Sequence, residues 1–96
     1  MNHYDAYGDE VLVALLKQND RGAFRAIYLR YSSVLYQYAF NILREEQECL
    51  DAVQDIFVWL WTNRCRLNIT ALKAYLLAAV KYKLISAIRI SKRRQE

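Results

Sequence analysis

The 96-residue sequence predicts an all-α fold, a compact bundle of about four helices, on three observations. Proline is absent and glycine occurs only at Gly8 and Gly22, so the usual punctuation of hairpins and tight turns is missing. Apolar residues recur at three- and four-residue spacing over long runs, the period of a helix with one buried face. At 55% hydrophobic and 14% aromatic, the chain has enough apolar surface to offset the ordering entropy of folding. One small domain, residues 1–96, is the expectation at this length.

A first short helix opens at Asp9 or Glu10, places Val11, Leu12, Leu15 and Leu16 on one face, and ends near Asn19. Asp20 is a good N-cap for a second helix over about Arg21–Arg44, because its carboxylate can accept from the backbone of the first turn. Phe24, Ile27, Tyr28, Tyr31, Leu35, Tyr38, Ala39 and Ile42 form its inward stripe. Aromatics at this spacing are read as core in preference to a stacking surface.

The polar run Arg44–Glu48 leads into a third helix, about Glu46–Asn63. Its inward positions are Cys49, Val53, Ile56, Phe57 and Leu60, and its outward ones Asp51, Gln54, Asp55, Val58 and Thr62. Residues 64–70 are small, polar and basic and read as a loop, with Thr70 as the N-cap of a fourth helix over about 71–94. On a wheel of about 100° per residue, Leu72, Leu76, Ala79, Val80, Leu84, Ala87 and Ile88 gather on the packed side of that helix. Tyr75, Tyr82, Ser86, Arg89 and Arg93 form a narrow stripe opposite, flanked by Lys81 and Lys92.

Charge is sorted along the chain. Residues 1–55 hold five Lys/Arg against nine Asp/Glu, whereas the remainder holds nine Lys/Arg and a single acid, Glu96. A formal charge of +4 therefore hides an acidic half and a basic half, and basic halves usually meet polyanions. A solvated basic face is the plain alternative. Two features favour nucleic acid over it: no acid interrupts Ile56–Gln95, and rings are interleaved with the cations. Cations neutralise phosphates, and exposed rings stack on unpaired bases at about 1–3 kcal/mol each, which suits a single strand better than intact duplex.

The outward face of the third helix offers a second surface. Asp51, Gln54 and Asp55 lie within one turn beside Val58 and Trp59, and an acidic rim next to an apolar patch fits a protein partner as well as it fits an ordinary exposed face. Catalysis has little support. His3 is near the terminus, no Gly-rich phosphate loop occurs, and no serine or cysteine has a neighbouring base, so neither an enzyme nor a cofactor is expected. Cys49 and Cys65 lack metal-ligand spacing and read as reduced thiols. No apolar run reaches the ~18 residues of a membrane span and the N-terminus lacks a signal h-region, so a soluble cytoplasmic protein without membrane contact is expected.

The run DAVQDIFVWLW (Asp51–Trp61), a short basic loop and ALKAYLLAAVKYKLISAIRISKRR (Ala71–Arg94) together resemble region 2 of the extracytoplasmic-function (ECF) group of bacterial RNA polymerase sigma factors. The upstream DEVLVALLKQNDRGAFRAIYLRY is similar to that family's opening. The resemblance implies a helical sigma region 2 domain in which Asp51, Gln54 and Asp55 dock on the β′ clamp coiled coil of core RNA polymerase. It further implies that the loop and fourth helix hold the promoter −10 element as an unpaired non-template strand, with Arg64, Arg66, Asn68, Tyr75, Lys81, Tyr82 and Arg89 in or near that surface.

This chain has Tyr82 where the family often has Asn, and Ser86 where it often has Asp. An anti-sigma factor is a further partner that the resemblance suggests. Complete members also carry a C-terminal helix-turn-helix domain, so a fragment or a truncated relative is expected. The competing expectation is a helical interaction module whose basic face binds an acidic protein, and the salt dependence of binding separates the two.

Overall fold

The computed structural model describes residues 3–95, and side-chain surroundings for residues 3–89. Among them are four α-helices and no strand: a 3-10 turn His3–Ala6, α1 Asp9–Lys17, α2 Arg21–Leu43, α3 Glu46–Thr62, a 3-10 turn Arg64–Arg66 and α4 Leu72–Gln95. α2 packs against each of the other helices and forms the centre of the bundle.

Local chemistry sets the helix ends. Asn19 takes the left-handed conformation (φ 67°), which Asn tolerates better than most residues. The N–H groups of Asn19 and Asp20 return to the carbonyls of Leu16 and Leu15, closing α1 with a Schellman pair. Asp20 then caps α2 at once, its Oδ1 accepting from Ala23 N at 3.0 Å. One residue therefore ends one helix and begins the next, which fixes the α1–α2 corner. The same carboxylate accepts from the Tyr4 hydroxyl at 2.8 Å and draws the N-terminal turn onto the corner. α2 ends at Arg44, also left-handed (φ 56°), and Glu45 caps α3 through Glu48 N at 2.7 Å.

The core joins all four helices, with Leu12, Leu16, Ile27, Leu35, Leu60, Leu76 and Leu84 buried to about 1% exposure or less. Asp9 links the outer layer: it pairs with Arg30 at 2.9 Å and accepts from the Tyr31 hydroxyl. The inward and outward positions of α3 follow its periodicity throughout.

Several expectations need correction. Val11 is 45% exposed while Val13 is buried, because the buried face of α1 is centred on Leu12, Val13 and Leu16, roughly a quarter turn from the predicted one. Tyr28 and Ile42 lie on the exposed flank of the α2 stripe. α4 begins at Leu72, with the Ala71 carbonyl accepting from Tyr75 N, so the capping position is Ala71 and not Thr70. Burial on α4 stops at Leu84, and Ala87 and Ile88 are exposed. The start of α3, near Glu48, lies level with Leu84 and Ala87, and α4 runs past it.

Candidate functional site

α3 and α4 carry the two candidate surfaces. Asp51, Gln54, Asp55, Val58 and Trp59 are all exposed, Val58 at 59% and Trp59 at 46%. They spread over two adjoining sides of α3, with Val58 bordering both. Asp51, Gln54 and Val58 lie at i, i+3 and i+7 and border a groove of about 820 Å³ between α3 and α2. Asp55 and Trp59 sit one step round the helix, on the α4 side.

The α2–α3 groove has an aromatic floor. The Tyr28 ring meets Phe57 edge-on at 4.9 Å, and Phe24 meets Trp61 at 5.3 Å. Tyr28 thus contributes to this surface from a position that periodicity assigned to the core, and its place at the edge of the α2 stripe was the available signal. At the acidic rim, Gln47 Nε2 donates to Asp51 Oδ1 at 2.9 Å and orients that carboxylate. Asp55 instead pairs with Lys83 of α4, Nζ to Oδ2 at 3.0 Å.

On α4, Tyr82 is 76% exposed, and Lys81, Ser86 and Arg89 are exposed with it. Tyr75, predicted in the same stripe, is half-buried because its ring meets Trp59 at a centroid distance of 6.0 Å. Burial raises its phenol above the ordinary value. Tyr75, Tyr82 and Ser86 border one groove with Trp59, whereas Lys81 is not among its lining residues. The Arg93 side chain lies outside the described residues.

The loop cations have internal partners. Arg64 donates from Nε to Asn19 Oδ1 and from Nη1 to the Trp61 carbonyl, each at 2.7 Å, with its guanidinium 3.9 Å over the Trp61 ring. Arg66 donates to Asn63 Oδ1 at 3.1 Å, and Asn63 in turn donates from Nδ2 to the Trp59 carbonyl. Buried Leu67 pins the segment to the core, while Asn68 is exposed. The residues that sequence reasoning missed here are Asn19, Asn63 and Lys83. Each acts through a contact to another element or a loop turn that helical periodicity does not encode.

Among the described residues no group of His, Cys, Asp or Glu is arranged to hold a metal ion, and no helix is long and apolar enough to cross a membrane. Cys49 is buried and Cys65 exposed, both as free thiols. The bundle thus carries an acidic, apolar-floored groove on one side and exposed cations with the exposed Tyr82 on the next helix.

Residues 27–94 match Sigma-70 region 2, and the chain belongs to that family. Sigma-70 region 2 is a transcription-initiation module, not an enzyme, and takes part in core RNA polymerase binding and promoter −10 recognition. The match begins within α2, so of the opening Asp9–Tyr31 only the last residues fall inside it. Comparison with curated proteins and with solved structures finds no match.

Proposed function

We propose that this chain is region 2 of an ECF-group sigma factor, with α3 docking on the β′ clamp coiled coil of core polymerase and α4 holding the unpaired non-template strand of the −10 element. The observation that carries this reading is the division of labour between adjacent helices. Asp51, Gln54 and Val58 border the α2–α3 groove, while Tyr82, Ser86 and Arg89 are exposed on α4. A polymerase helix lying in the first groove would leave the second face open to DNA.

The energetics favour joint action. Opening duplex costs about 1.4 kcal/mol per base-pair step, and each stacked base returns about 1–3 kcal/mol. A few stacked bases and phosphate contacts therefore offset a few steps and not a whole bubble. Docking on polymerase raises the effective concentration of strand and protein and supplies further contacts. Within this reading, Arg64 and Arg66 shape the loop that presents Asn68 to the strand, because their guanidiniums already hold Asn19, the Trp61 carbonyl and Asn63. The cytoplasm, where polymerase works, is the proposed location.

The test separates the two faces. Asp51→Ala with Gln54→Ala should weaken association with an isolated β′ coiled coil, and Tyr82→Ala with Arg89→Ala should weaken capture of single-stranded −10 DNA by the polymerase complex while sparing association. Equal coiled-coil affinity for wild type and the α3 double variant removes the docking assignment. Unchanged strand capture in the α4 variant leaves that stripe a solvated face.

A further inference from the structure

We infer that Asn19, at the corner between α1 and α2, is a positioning residue for strand binding: through Arg64 it fixes the loop that places Asn68 beside the strand. This rests on the reading of that loop and α4 as the strand-binding surface. Asn19 lies in neither element, and the family match begins only at residue 27.

The corner is a rigid mount. Asn19 is left-handed, its N–H donates to the Leu16 carbonyl at 3.0 Å, and the next residue, Asp20, donates to Leu15 and caps α2. Glycine is the usual residue at such a helix end, because it takes the left-handed region without strain. What asparagine adds is a side-chain acceptor. That acceptor is used 45 residues further along the chain, where Oδ1 accepts from Arg64 Nε at 2.7 Å.

Arg64 is thereby fixed in three directions. Nε is held from the end of α1, Nη1 by the Trp61 carbonyl, and the guanidinium lies 3.9 Å over the Trp61 ring, which in turn meets Phe24 of α2. Arg64 opens the 3-10 turn Arg64–Arg66, buried Leu67 follows, and exposed Asn68 comes next. The backbone bond that closes the turn, Leu67 N to the Arg64 carbonyl, is long at 3.5 Å. The side-chain tether therefore carries much of the definition of this segment. Without the Asn19 amide, the guanidinium keeps only Trp61, a partner three residues away on its own stretch of chain.

The chemistry of the tether points to a polyanion as what the loop is arranged for. The groups that hold Arg64 and Arg66 are neutral: two asparagine amides and a backbone carbonyl. They orient the cations without cancelling their charge, so the field towards a phosphate backbone is kept. Lys83, by contrast, faces the Asp55 carboxylate. An anchor needed only for stability would be stronger with an aspartate at position 19.

The experiment uses the chain assembled with core polymerase and a mixed-sequence single-stranded DNA 12-mer, read by fluorescence anisotropy over several salt concentrations. Asn19→Gly removes the acceptor and keeps the left-handed corner, so the bundle is retained. It should lower strand affinity about 3- to 10-fold, the range of one hydrogen bond, while core polymerase is bound as by wild type. The slope of log affinity against log salt should not change, because no phosphate contact is removed. In an Arg64→Ala background, Asn19→Gly should have no further effect, since the pair acts as one unit.

Strand affinity within twofold of wild type for Asn19→Gly overturns the inference, and so does an equal loss with and without Arg64, or a parallel loss of polymerase association. Arg89→Ala is the control for the underlying reading. If it weakens strand binding while Asn19→Gly does not, only the role of the corner fails; if neither variant has an effect, the strand-binding reading fails with it.

Discussion

Lys83 Nζ lies 3.0 Å from Asp55 Oδ2, so a cation of the basic fourth helix is held by the last carboxylate of the acidic part of the chain. The pair crosses the α3–α4 seam at the border between the two candidate surfaces. Both side chains are about half exposed, which limits its worth to stability. Its larger consequence is that Asp55 is already paired with a cation, whereas Asp51, at the rim of the α2–α3 groove, accepts from the neutral Gln47 amide.

Lys83→Ala should therefore have opposite effects on the two partners. Freed Asp55 should strengthen association with core polymerase by up to about fivefold, the scale of an exposed ion pair. Loss of the cation should weaken single-strand binding and reduce the slope of log affinity against log salt by about one. Titrations at several salt concentrations check both, and parallel weakening of the two interactions would contradict the bridging role.

Arg64 is held by geometry as well as by charge. Its two hydrogen bonds and its position over Trp61 use the planar guanidinium, which a lysine ammonium cannot reproduce. Arg64→Lys should behave like Arg64→Ala, each losing about 1–2 kcal/mol of stability and lowering Tm by several degrees. Thermal melts of the two variants decide the matter, because a simple phosphate contact would be largely kept by lysine and would not affect Tm.

Tyr31 gives the fold an alkaline limit. Burial first, and then the hydrogen bond its hydroxyl donates to Asp9, push its phenol up to about 12 from an ordinary value of 10. The folded state thus favours the protonated ring. Its contribution is fully present below pH 10, where the phenol is protonated in both states, and is lost as pH rises from 10 towards 12. Tyr31→Phe should cost roughly 1 kcal/mol at neutral pH, and its deficit relative to wild type should narrow across that alkaline window in denaturant unfolding.

Arg44 ends α2 in the left-handed region at φ 56°, a conformation that costs a residue with a Cβ about 1–2 kcal/mol. Arg44→Gly removes that cost and adds part of it back through the greater freedom of glycine in the unfolded chain. A net gain of about 0.5–1 kcal/mol is expected, visible as a Tm rise of a few degrees. A lower Tm would show that the arginine side chain makes a contribution larger than the backbone strain.

The sequence by itself determined the features that depend on near neighbours. The Asp20 cap, the length of α2, and the inward and outward sides of α3 follow from hydrogen bonds three residues long and from a rotation of about 100° per residue, so they could be read from spacing alone. The separation of acidic and basic parts was equally legible, because charge adds up without reference to shape.

Tertiary structure decided what each outward residue faces. Asp55 and Trp59 look like neighbours of Asp51 and Gln54 along the chain, yet the crossing of α4 over α3 turns them to Lys83 and Tyr75. Arg64 reads as a free loop cation until Asn19, 45 residues earlier, is brought within hydrogen-bond reach. Ala87 and Ile88 continue the apolar spacing of α4 but find no cover, because α3 begins level with them. Periodicity fixes the direction of a side chain about its own helix axis, whereas its partner depends on where other helices cross and end, and those distances are set by packing of the whole bundle.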